Sequence, residues 1–264
     1  MRAIVLSAGQ GKRLLPLTIS EPKCLLPVDG DRCVLEVQLR AIANCGIERA
    51  SVFVGFGAER VEHFLDTHPI PGLTVDAIYN PLYATTDNLI TCWLARHEMT
   101  EEFLLLNGDT LFEDEALRTV LEGPRCPATV TINHKDTYDE DDMKVTVDPD
   151  GRLRAVGKKI PLEEVTGESI GMLLFRDSGV PDFRATLERA VRTPDSLNRW
   201  YLSVVSELAQ RIEVRTTAIT GLWWQEIDEP ADLEAARAGL RDLRYGDDEP
   251  KEPIPHVIER RHSP

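Results

Sequence analysis

Short apolar runs alternate with helical patterns over the first half of this 264-residue chain, and this alternation restricts the fold more than any other feature. The runs of strand length are residues 3–7, 50–55, 74–79, 102–107 and 128–132. Apolar residues recur at helical spacing in the intervening segments, 34–46, 58–66, 87–97 and 114–122. Buried strands joined by single helices predict an α/β fold, a Rossmann-like three-layer sandwich around a mostly parallel sheet.

The pattern changes after residue 133. A hairpin is predicted for 144–157 because Asp-Pro-Asp-Gly lies at its centre. Further strands are expected at 168–175, 212–219 and 222–228, and further helices near 181–192, 202–211 and 229–243. We therefore expect a single domain over 1–245. In it a small β-rich addition (134–220) follows the core (1–133), and 221–245 returns to the core. The polar, proline-rich residues 246–264 are expected to form a mobile tail.

Composition limits the function classes. The net charge is −15, which disfavours generic binding to nucleic acid or to an anionic membrane. No apolar run approaches the 18 residues of a membrane span, and the N-terminus lacks a signal-peptide pattern. The five cysteines are scattered without a CxxC pair, so we expect reduced thiols and a cytoplasmic protein.

Positive charge is nevertheless concentrated in residues 6–28, LSAGQGKRLLPLTISEPKCLLPV, directly after the first strand. The small residues Ala8, Gly9 and Gly11 let backbone N–H groups approach a ligand closely, and Lys12 and Arg13 can bind phosphate oxygens. The loop is neither a Walker A motif nor a dinucleotide fingerprint, whose third glycine is absent. A local phosphate-binding pocket is indicated.

The same 23 residues closely resemble the signature of the nucleotidylyltransferases: Gly-x-Gly-x-Arg-Leu, Pro-Leu-Thr, Pro-Lys and Pro-Val. These enzymes transfer a nucleoside monophosphate from an NTP to a phosphorylated acceptor and release pyrophosphate. The resemblance implies that Arg13 and Lys23 are catalytic cations that hold the phosphates, assisted by Lys12. It also implies that Ala8, Gly9 and Gly11 contact the nucleotide, so that 1–133 binds nucleotide and 134–220 binds the acceptor.

Two aspartates are candidates for a metal site. The strand in LLLNGDTLF (104–112) ends at Asp109, at the sheet edge where ligands bind in open α/β folds. Glu226 and Asp228 in LWWQEIDEPADL alternate along a strand and point to one face. By resemblance, Asp109 and Asp228 are expected to hold Mg²⁺. Lys144 is either a solvated residue at a sheet edge or, by resemblance, a catalytic cation on the α-phosphate.

Residues 79–98 bear on the choice of substrate. Sugar-1-phosphate members of the family have a Gly-Thr-Ala-type segment here, and this chain does not. The segment resembles the phosphocholine cytidylyltransferase branch, which includes enzymes acting on phosphonates and inositol phosphate. Tyr79, Asn80 and Asn88 match that branch, whereas Asp87 stands where another Asn is common. The expected substrates are CTP, contacted by Asn80 and Asn88, and a small phosphorylated alcohol or phosphonate.

A quaternary ammonium acceptor would require aromatic rings and a carboxylate. The candidates are Trp200, Tyr201, Trp223 and Glu168. Each aromatic residue fits equally well in a core, and adjacent Trp223 and Trp224 on a strand face opposite ways, so only one can face the pocket. A homodimer is compatible with the sequence.

Other functions stay open. One alternative is a sugar-1-phosphate nucleotidylyltransferase that uses UTP or dTTP. A glycosyltransferase is disfavoured because residues 107–110 read Asn-Gly-Asp-Thr rather than Asp-x-Asp. A non-catalytic nucleotide-binding regulator is disfavoured because Lys23 and both aspartates are retained.

Overall fold

A nine-stranded mixed sheet organises the chain, and the computed structural model describes it over residues 1–247. The thirteen strands of the described part are β1 (Arg2–Ser7), β2 (Pro27–Asp29), β3 (Arg32–Cys33), β4 (Arg49–Val54), β5 (Thr74–Tyr79), β6 (Phe103–Asn107), β7 (Thr110–Phe112), β8 (Ala128–Asn133), β9 (Lys144–Val147), β10 (Leu153–Val156), β11 (Gly167–Phe175), β12 (Val214–Ala218) and β13 (Trp224–Glu226). The seven α-helices of that part are α1 (Val34–Asn44), α2 (Ala58–Thr67), α3 (Asn88–Leu94), α4 (Asp114–Glu122), α5 (Gly179–Ala190), α6 (Tyr201–Ala209) and α7 (Pro230–Asp247).

The centre of the sheet is parallel, as the alternation of strands and helices predicts. Strand β1 pairs in parallel with β4 and β6, and β4 pairs in parallel with β5. Strand β11 runs antiparallel between β6 and β8, and β12 extends the sheet by pairing in parallel with β8. The β9–β10 hairpin joins the beginning of β11 through β9. The expected α/β class and mostly parallel central sheet are therefore confirmed.

Both faces of the sheet are covered, which explains the continuous apolar composition of its strands. Along β1 the side chains alternate between two buried clusters: Ala3 and Val5 pack in one, Ile4 and Leu6 in the other. All four have at most 9% of their surface exposed. A third cluster lies under α7, where Leu233 and Leu240 pack with Leu14.

Most elements lie where the sequence places them, with ends shifted by a few residues. The helix expected over 87–97 ends at Leu94 and continues as a 3-10 turn at Ala95–His97. The last helix extends to Asp247, past the expected 243, so residues 246 and 247 are helical and not part of a tail. The rest of the expected tail, 248–264, lies outside the described residues. No helix in the described part of the chain is long and apolar enough to cross a membrane.

The fold brings separate segments together at one edge of the sheet. Strands β1 and β6 are parallel neighbours, so the residues that follow them, 8–13 and 108–109, emerge side by side. A two-stranded antiparallel sheet pairs β13 with β7 and places Glu226 opposite Thr110. The last segment of the domain therefore returns to the loop that contains Asp109.

Candidate active site

The glycine loop leaves β1 and folds back beside Lys23. Gly11 has φ of +71°, a left-handed conformation that favours glycine. A Cβ at Gly11 would lie 3.0 Å from Cδ of Lys23, so the missing side chain also makes room for the lysine stem. Thr18 fixes the turn because its hydroxyl donates a 2.8 Å hydrogen bond to the Gly11 carbonyl. The loop and Lys23 thus form one packed unit.

Asp109 is held at the end of β6 by contacts around Gly108. The Gly108 N–H donates to the Leu6 carbonyl at 2.9 Å, and a Cβ at Gly108 would lie 2.6 Å from the Ser7 side chain. Gln38 is fully buried, and its Nε2 donates to the carbonyl oxygens of Asn107 (2.7 Å) and Thr110 (2.9 Å). These bonds fix the backbone on both sides of Asp109.

Asp228 reaches the same place from the other end of the chain. The Ile227 N–H donates to the Asp109 carbonyl at 3.0 Å, just past the β13–β7 pair. The Asp232 carboxylate accepts hydrogen bonds from the backbone N–H groups of Asp228 (2.9 Å) and Glu229 (2.7 Å), which fixes the start of α7. Asp109 and Asp228 thus face one another across a rigid junction.

Lys23 joins the two aspartates. Its Nζ lies 2.8 Å from Oδ2 of Asp109 and 2.8 Å from Oδ1 of Asp228. Arg13 donates to the other Asp228 oxygen at 2.6 Å. Burial by itself would lower the pKa of Lys23, but the charges and hydrogen bonds of both carboxylates outweigh it, and the pKa is raised. Lys23 is therefore a charged ammonium in the centre of the site.

Glu226 adds a third acidic group that the sequence analysis noted but did not assign. Burial, followed by the nearby charges of Asp109 and Asp228, raises the pKa of Glu226 to about 8. Its position on β13, two residues before Asp228, was the only available signal. A carboxyl group whose pKa is shifted by burial and by neighbouring charges is a candidate member of a functional site.

The residues present fit a divalent cation. Oδ1 of Asp109 is buried and has no hydrogen-bond donor among residues 1–247, so an acceptor oxygen is left unsatisfied beside Lys23. Among the described residues, no three His, Cys, Asp or Glu side chains form a complete metal site. Mg²⁺ commonly binds through one or two carboxylates together with substrate phosphates, so Asp109 and Asp228 suffice as protein ligands.

Lys144 and Lys158 extend the cationic part of the site toward the hairpin. Lys144 is only 3% exposed, and its Nζ donates to the Lys158 carbonyl at 3.1 Å. The Lys158 Nζ lies 3.0 Å from Asp141, which in turn lies 3.5 Å from Arg13. The reading of Lys144 as a solvated edge residue is wrong, because its side chain is buried beside the site. Lys158 and Asp141 were missed: Lys158 lies just past the predicted hairpin, and Asp141 is one of several acidic residues before it.

Asn80 and Asn88, expected to contact the nucleotide, use their amides inside the protein. Asn80 is fully buried: its Nδ2 donates to the Thr91 hydroxyl, and its Oδ1 accepts from the Leu82 N–H. The Asn88 Oδ1 accepts from the backbone N–H of Tyr201 at 3.0 Å. Asn80 therefore orders the loop after β5, and Asn88 joins α3 to the start of α6. The Asn80 amide is thus used inside the protein, and the Asn88 oxygen accepts a backbone hydrogen bond, so a contact of either residue with the nucleotide stays a prediction.

Glu168 lies beside Lys144, its neighbour across the β9–β11 pair. It is 5% exposed and pairs with Lys135 at 2.9 Å, and Lys135 also pairs with Asp142 at 2.6 Å. Burial is the main reason that the pKa of Glu168 is raised, against the opposing effect of Lys135. A carboxylate is thus present where the acceptor was expected, but it already has a cationic neighbour.

The aromatic candidates for acceptor binding differ in exposure and packing. Trp200 is 40% exposed, and the Lys158 Nζ lies over its ring, 4.6 Å from the centroid. Tyr201 is fully buried in the core, so its ring has no face free to stack on an acceptor. Trp223 packs against Gly239 of α7 and the cluster beneath that helix. The expectation of acceptor stacking is therefore wrong for Tyr201, does not fit the packing of Trp223, and stays a prediction for Trp200.

Comparison with known proteins agrees with this geometry. A family model described as nucleotidyl transferase matches residues 2–144. The bifunctional IPC transferase and DIPP synthase of Aquifex aeolicus is 27% identical over 240 residues, with 90% of this chain and 51% of that protein covered. The CMP-5'-(3-aminopropyl)phosphonate synthase of Streptomyces rubellomurinus is 29% identical over 248 residues, covering 89% and 38%. The chain thus spans about half, or less, of the length of these two relatives.

Structural similarity extends over nearly the whole described fold. The inositol-1-phosphate CTP transferase from T. maritima superposes with a TM-score of 0.75 at 22% sequence identity, covering 91% of this chain and 96% of that one. At this identity the match shows the fold alone. The family model, in contrast, covers more than half of the 264 residues, including the glycine loop, Lys23 and Asp109. The chain belongs to the nucleotidyl transferase family.

Proposed function

We propose that this protein transfers CMP from CTP to a small phosphorylated alcohol or phosphonate and releases pyrophosphate. The observation that carries the proposal is the junction at the carboxyl ends of β1 and β6. There the cations Arg13 and Lys23 meet the carboxylates Asp109 and Asp228 beside a glycine loop. Cations for a triphosphate and carboxylates for its metal are both required by such a transfer.

The reaction needs little proton chemistry. An oxygen of the acceptor phosphate or phosphonate attacks the α-phosphorus of the nucleotide, and the bond from that phosphorus to the bridging oxygen breaks. Pyrophosphate leaves with the bonding electrons, and no net proton transfer is required. The protein therefore contributes by positioning two anionic reactants and by stabilising the charge on the pentacoordinate phosphorus.

Each charged residue has a role in this scheme. The glycine loop, with Lys12 and Arg13, holds the triphosphate, and Lys23 contacts the reacting phosphates. Lys144, on the side of the hairpin, contacts the α-phosphate and stabilises the charge on the pentacoordinate phosphorus, and Lys158 beside it neutralises the acceptor phosphate as it approaches. Asp109 and Asp228 would hold Mg²⁺, which neutralises charge on the phosphate oxygens.

CTP is proposed as the donor for two reasons. Residues 79–98 lack the glycine segment of the sugar-specific enzymes. In addition, the name of the Streptomyces rubellomurinus relative contains CMP, and that of the structural neighbour from T. maritima contains CTP. We further propose that 1–133 binds the nucleotide, that 134–220 binds the acceptor, that 221–245 completes the metal site, and that the protein acts in the cytoplasm.

A pyrophosphate-release screen tests the proposal. CTP, UTP, dTTP and ATP are each combined with choline phosphate, an aminoalkylphosphonate, inositol phosphate and glucose-1-phosphate. Asp109→Asn serves as the control, because a signal that survives this change does not come from the site. We expect the highest kcat/KM with CTP and a non-sugar acceptor. Preference for UTP or dTTP with a hexose-1-phosphate would replace the proposal by sugar-nucleotide synthesis.

A further inference from the structure

The ammonium of Lys23 occupies the space between the two expected metal ligands. It lies 2.8 Å from an oxygen of Asp109 and 2.8 Å from an oxygen of Asp228. Its residue is only 9% exposed, so water screens these contacts weakly. A divalent cation that bridged the same carboxylates would compete with the ammonium for their oxygens and would be repelled by its charge.

The backbone of Lys23 is fixed, so only its side chain can move to admit a metal. Pro22 precedes it, and the 3-10 turn Lys23–Leu25 is closed by hydrogen bonds from the Leu25 N–H to the Pro22 carbonyl (2.9 Å) and from the Leu26 N–H to the Lys23 carbonyl (3.2 Å). The lysine stem runs along Gly11 of the glycine loop. A triphosphate bound at that loop would therefore place anionic oxygens within reach of the same ammonium.

We propose that Lys23 acts as an internal cation that excludes a free divalent metal from Asp109 and Asp228 until a nucleotide triphosphate draws its ammonium away. The inference rests on the proposed function in assigning the two aspartates to a metal. It adds that metal and nucleotide are coupled through Lys23: the triphosphate provides a new anion for the lysine, and the metal takes the vacated position. Such coupling is reciprocal, so each ligand raises the affinity for the other.

The decisive measurement uses the metal alone, because a nucleotide triphosphate binds divalent cations by itself. Mn²⁺ binding is followed by electron paramagnetic resonance in the absence of nucleotide for the wild type, Lys23→Met and Lys23→Met/Asp109→Asn. We expect weak binding to the wild type and ~10- to 100-fold tighter binding to Lys23→Met, which the double variant loses. Lys159→Met removes an exposed lysine next to Lys158 and controls for the general loss of one positive charge; it should match the wild type.

Two outcomes overturn the inference. One is equal Mn²⁺ affinity in the wild type and Lys23→Met. The other is tight binding of free Mn²⁺ to the wild type that Asp109→Asn abolishes. Should Lys23→Met fold poorly, thermal unfolding of the wild type provides a second test: free Mn²⁺ should raise its Tm no more than that of Asp109→Asn, and a larger rise contradicts the inference.

A parallel assay separates this inference from the proposed function. Pyrophosphate release is measured with the same preparations and all four nucleotides. If pyrophosphate is released but the wild type and Lys23→Met bind Mn²⁺ equally well, the inference about Lys23 is overturned and the proposed function stands. Absence of turnover with every nucleotide overturns the proposed function, whereas the comparison of Mn²⁺ affinities still decides whether Lys23 excludes the metal.

Discussion

The phenol of Tyr201 donates a 2.9 Å hydrogen bond to the side-chain oxygen of Asn107, two residues before Asp109. Asn107 also packs against Gly171, whose φ of +74° and missing side chain make room for the amide. Burial is the main cause that raises the pKa of Tyr201 well above its usual value, so the phenol keeps its proton. The start of α6 is thereby joined to the loop that contains a predicted metal ligand.

Tyr201→Phe should weaken both the fold and the site. It removes the donor to the half-buried Asn107 oxygen, which is expected to lower the free energy of unfolding by ~1–3 kcal/mol. Because Asn107 orients the loop of Asp109, kcat should also fall by ~10-fold. Urea denaturation and pyrophosphate-release kinetics measure the two effects.

Tyr138→Phe is the matched control. The Tyr138 hydroxyl accepts a 3.3 Å hydrogen bond from the Lys135 N–H in an exposed loop, so its loss should change the free energy of unfolding by no more than ~0.5 kcal/mol. Equal effects of the two substitutions would show that the buried bond to Asn107 has no special role.

Trp200 and Tyr201 also show where prediction from sequence ends. Residue spacing identified them as candidates for acceptor binding, but the end of one loop and the start of α6 fall between them. One ring is therefore 40% exposed, and the other is fully buried. Which of two adjacent rings enters a core depends on tertiary packing, and a short pattern at a helix start does not contain that information.

The elements and motifs with local causes were predictable. The apolar runs of β1 and β6 indicated buried parallel strands, and the glycine loop after β1 indicated a phosphate site. Asp109 and Asp228 were assigned by resemblance to the family, and the structure places each shortly after a strand, β6 or β13. Lys158 was not found, because its position beside the site results from the β9–β10 hairpin docking on β11.

Divalent metal should be required for turnover. Chelation of divalent ions, or Asp109→Asn, removes charge neutralisation at the phosphates and should lower the rate at least ~100-fold. Far-ultraviolet circular dichroism should show that Asp109→Asn stays folded, since in the described part of the chain the Asp109 side chain accepts a hydrogen bond from Lys23 alone. Full activity after chelation would contradict the assignment of Asp109 and Asp228 as metal ligands.

Arg13 should matter for catalysis far more than for stability. Its side chain is 48% exposed and pairs with Asp228, so Arg13→Ala should reduce kcat/KM by ~100-fold with little change in Tm. Arg13→Lys should also be poor, because a point charge does not reproduce the bidentate guanidinium. Arg192→Ala, at a residue whose side chain is 79% exposed, is the control with unchanged kinetics. A large fall in Tm with near-normal kcat/KM would instead identify Arg13 as a structural ion-pair residue.

The buried thiols should lower the free energy of unfolding as pH rises above 9. Burial raises the pKa of Cys24 from 9.0 to about 11 and that of Cys33 from 9.0 to about 12. Both thiols bind protons more tightly in the folded state, so their contribution to stability is complete below pH 9 and is lost as pH rises toward 11 and 12. Urea denaturation between pH 8 and pH 10.5 should show this decrease, and it should be smaller in Cys24→Ala/Cys33→Ala. An unchanged pH dependence in that double variant would assign the decrease to other groups.

The nature of the acceptor can be tested at Trp200. Its ring already has a cation over it, the Lys158 ammonium at 4.6 Å, so the face is suited to a positive head group. If the acceptor has an ammonium or amino group, Trp200→Leu should remove ~1–2 kcal/mol of binding and raise the acceptor KM by ~5- to 30-fold. The KM for CTP should not change, because the glycine loop and Lys23 are untouched.

Trp223→Leu is the control: Trp223 packs on α7, so its loss should lower Tm and leave the acceptor KM near that of the wild type. If a neutral polyol phosphate proves the best acceptor and Trp200→Leu leaves its KM unchanged, the acceptor has no cationic group at this ring, whereas the transfer from CTP still holds.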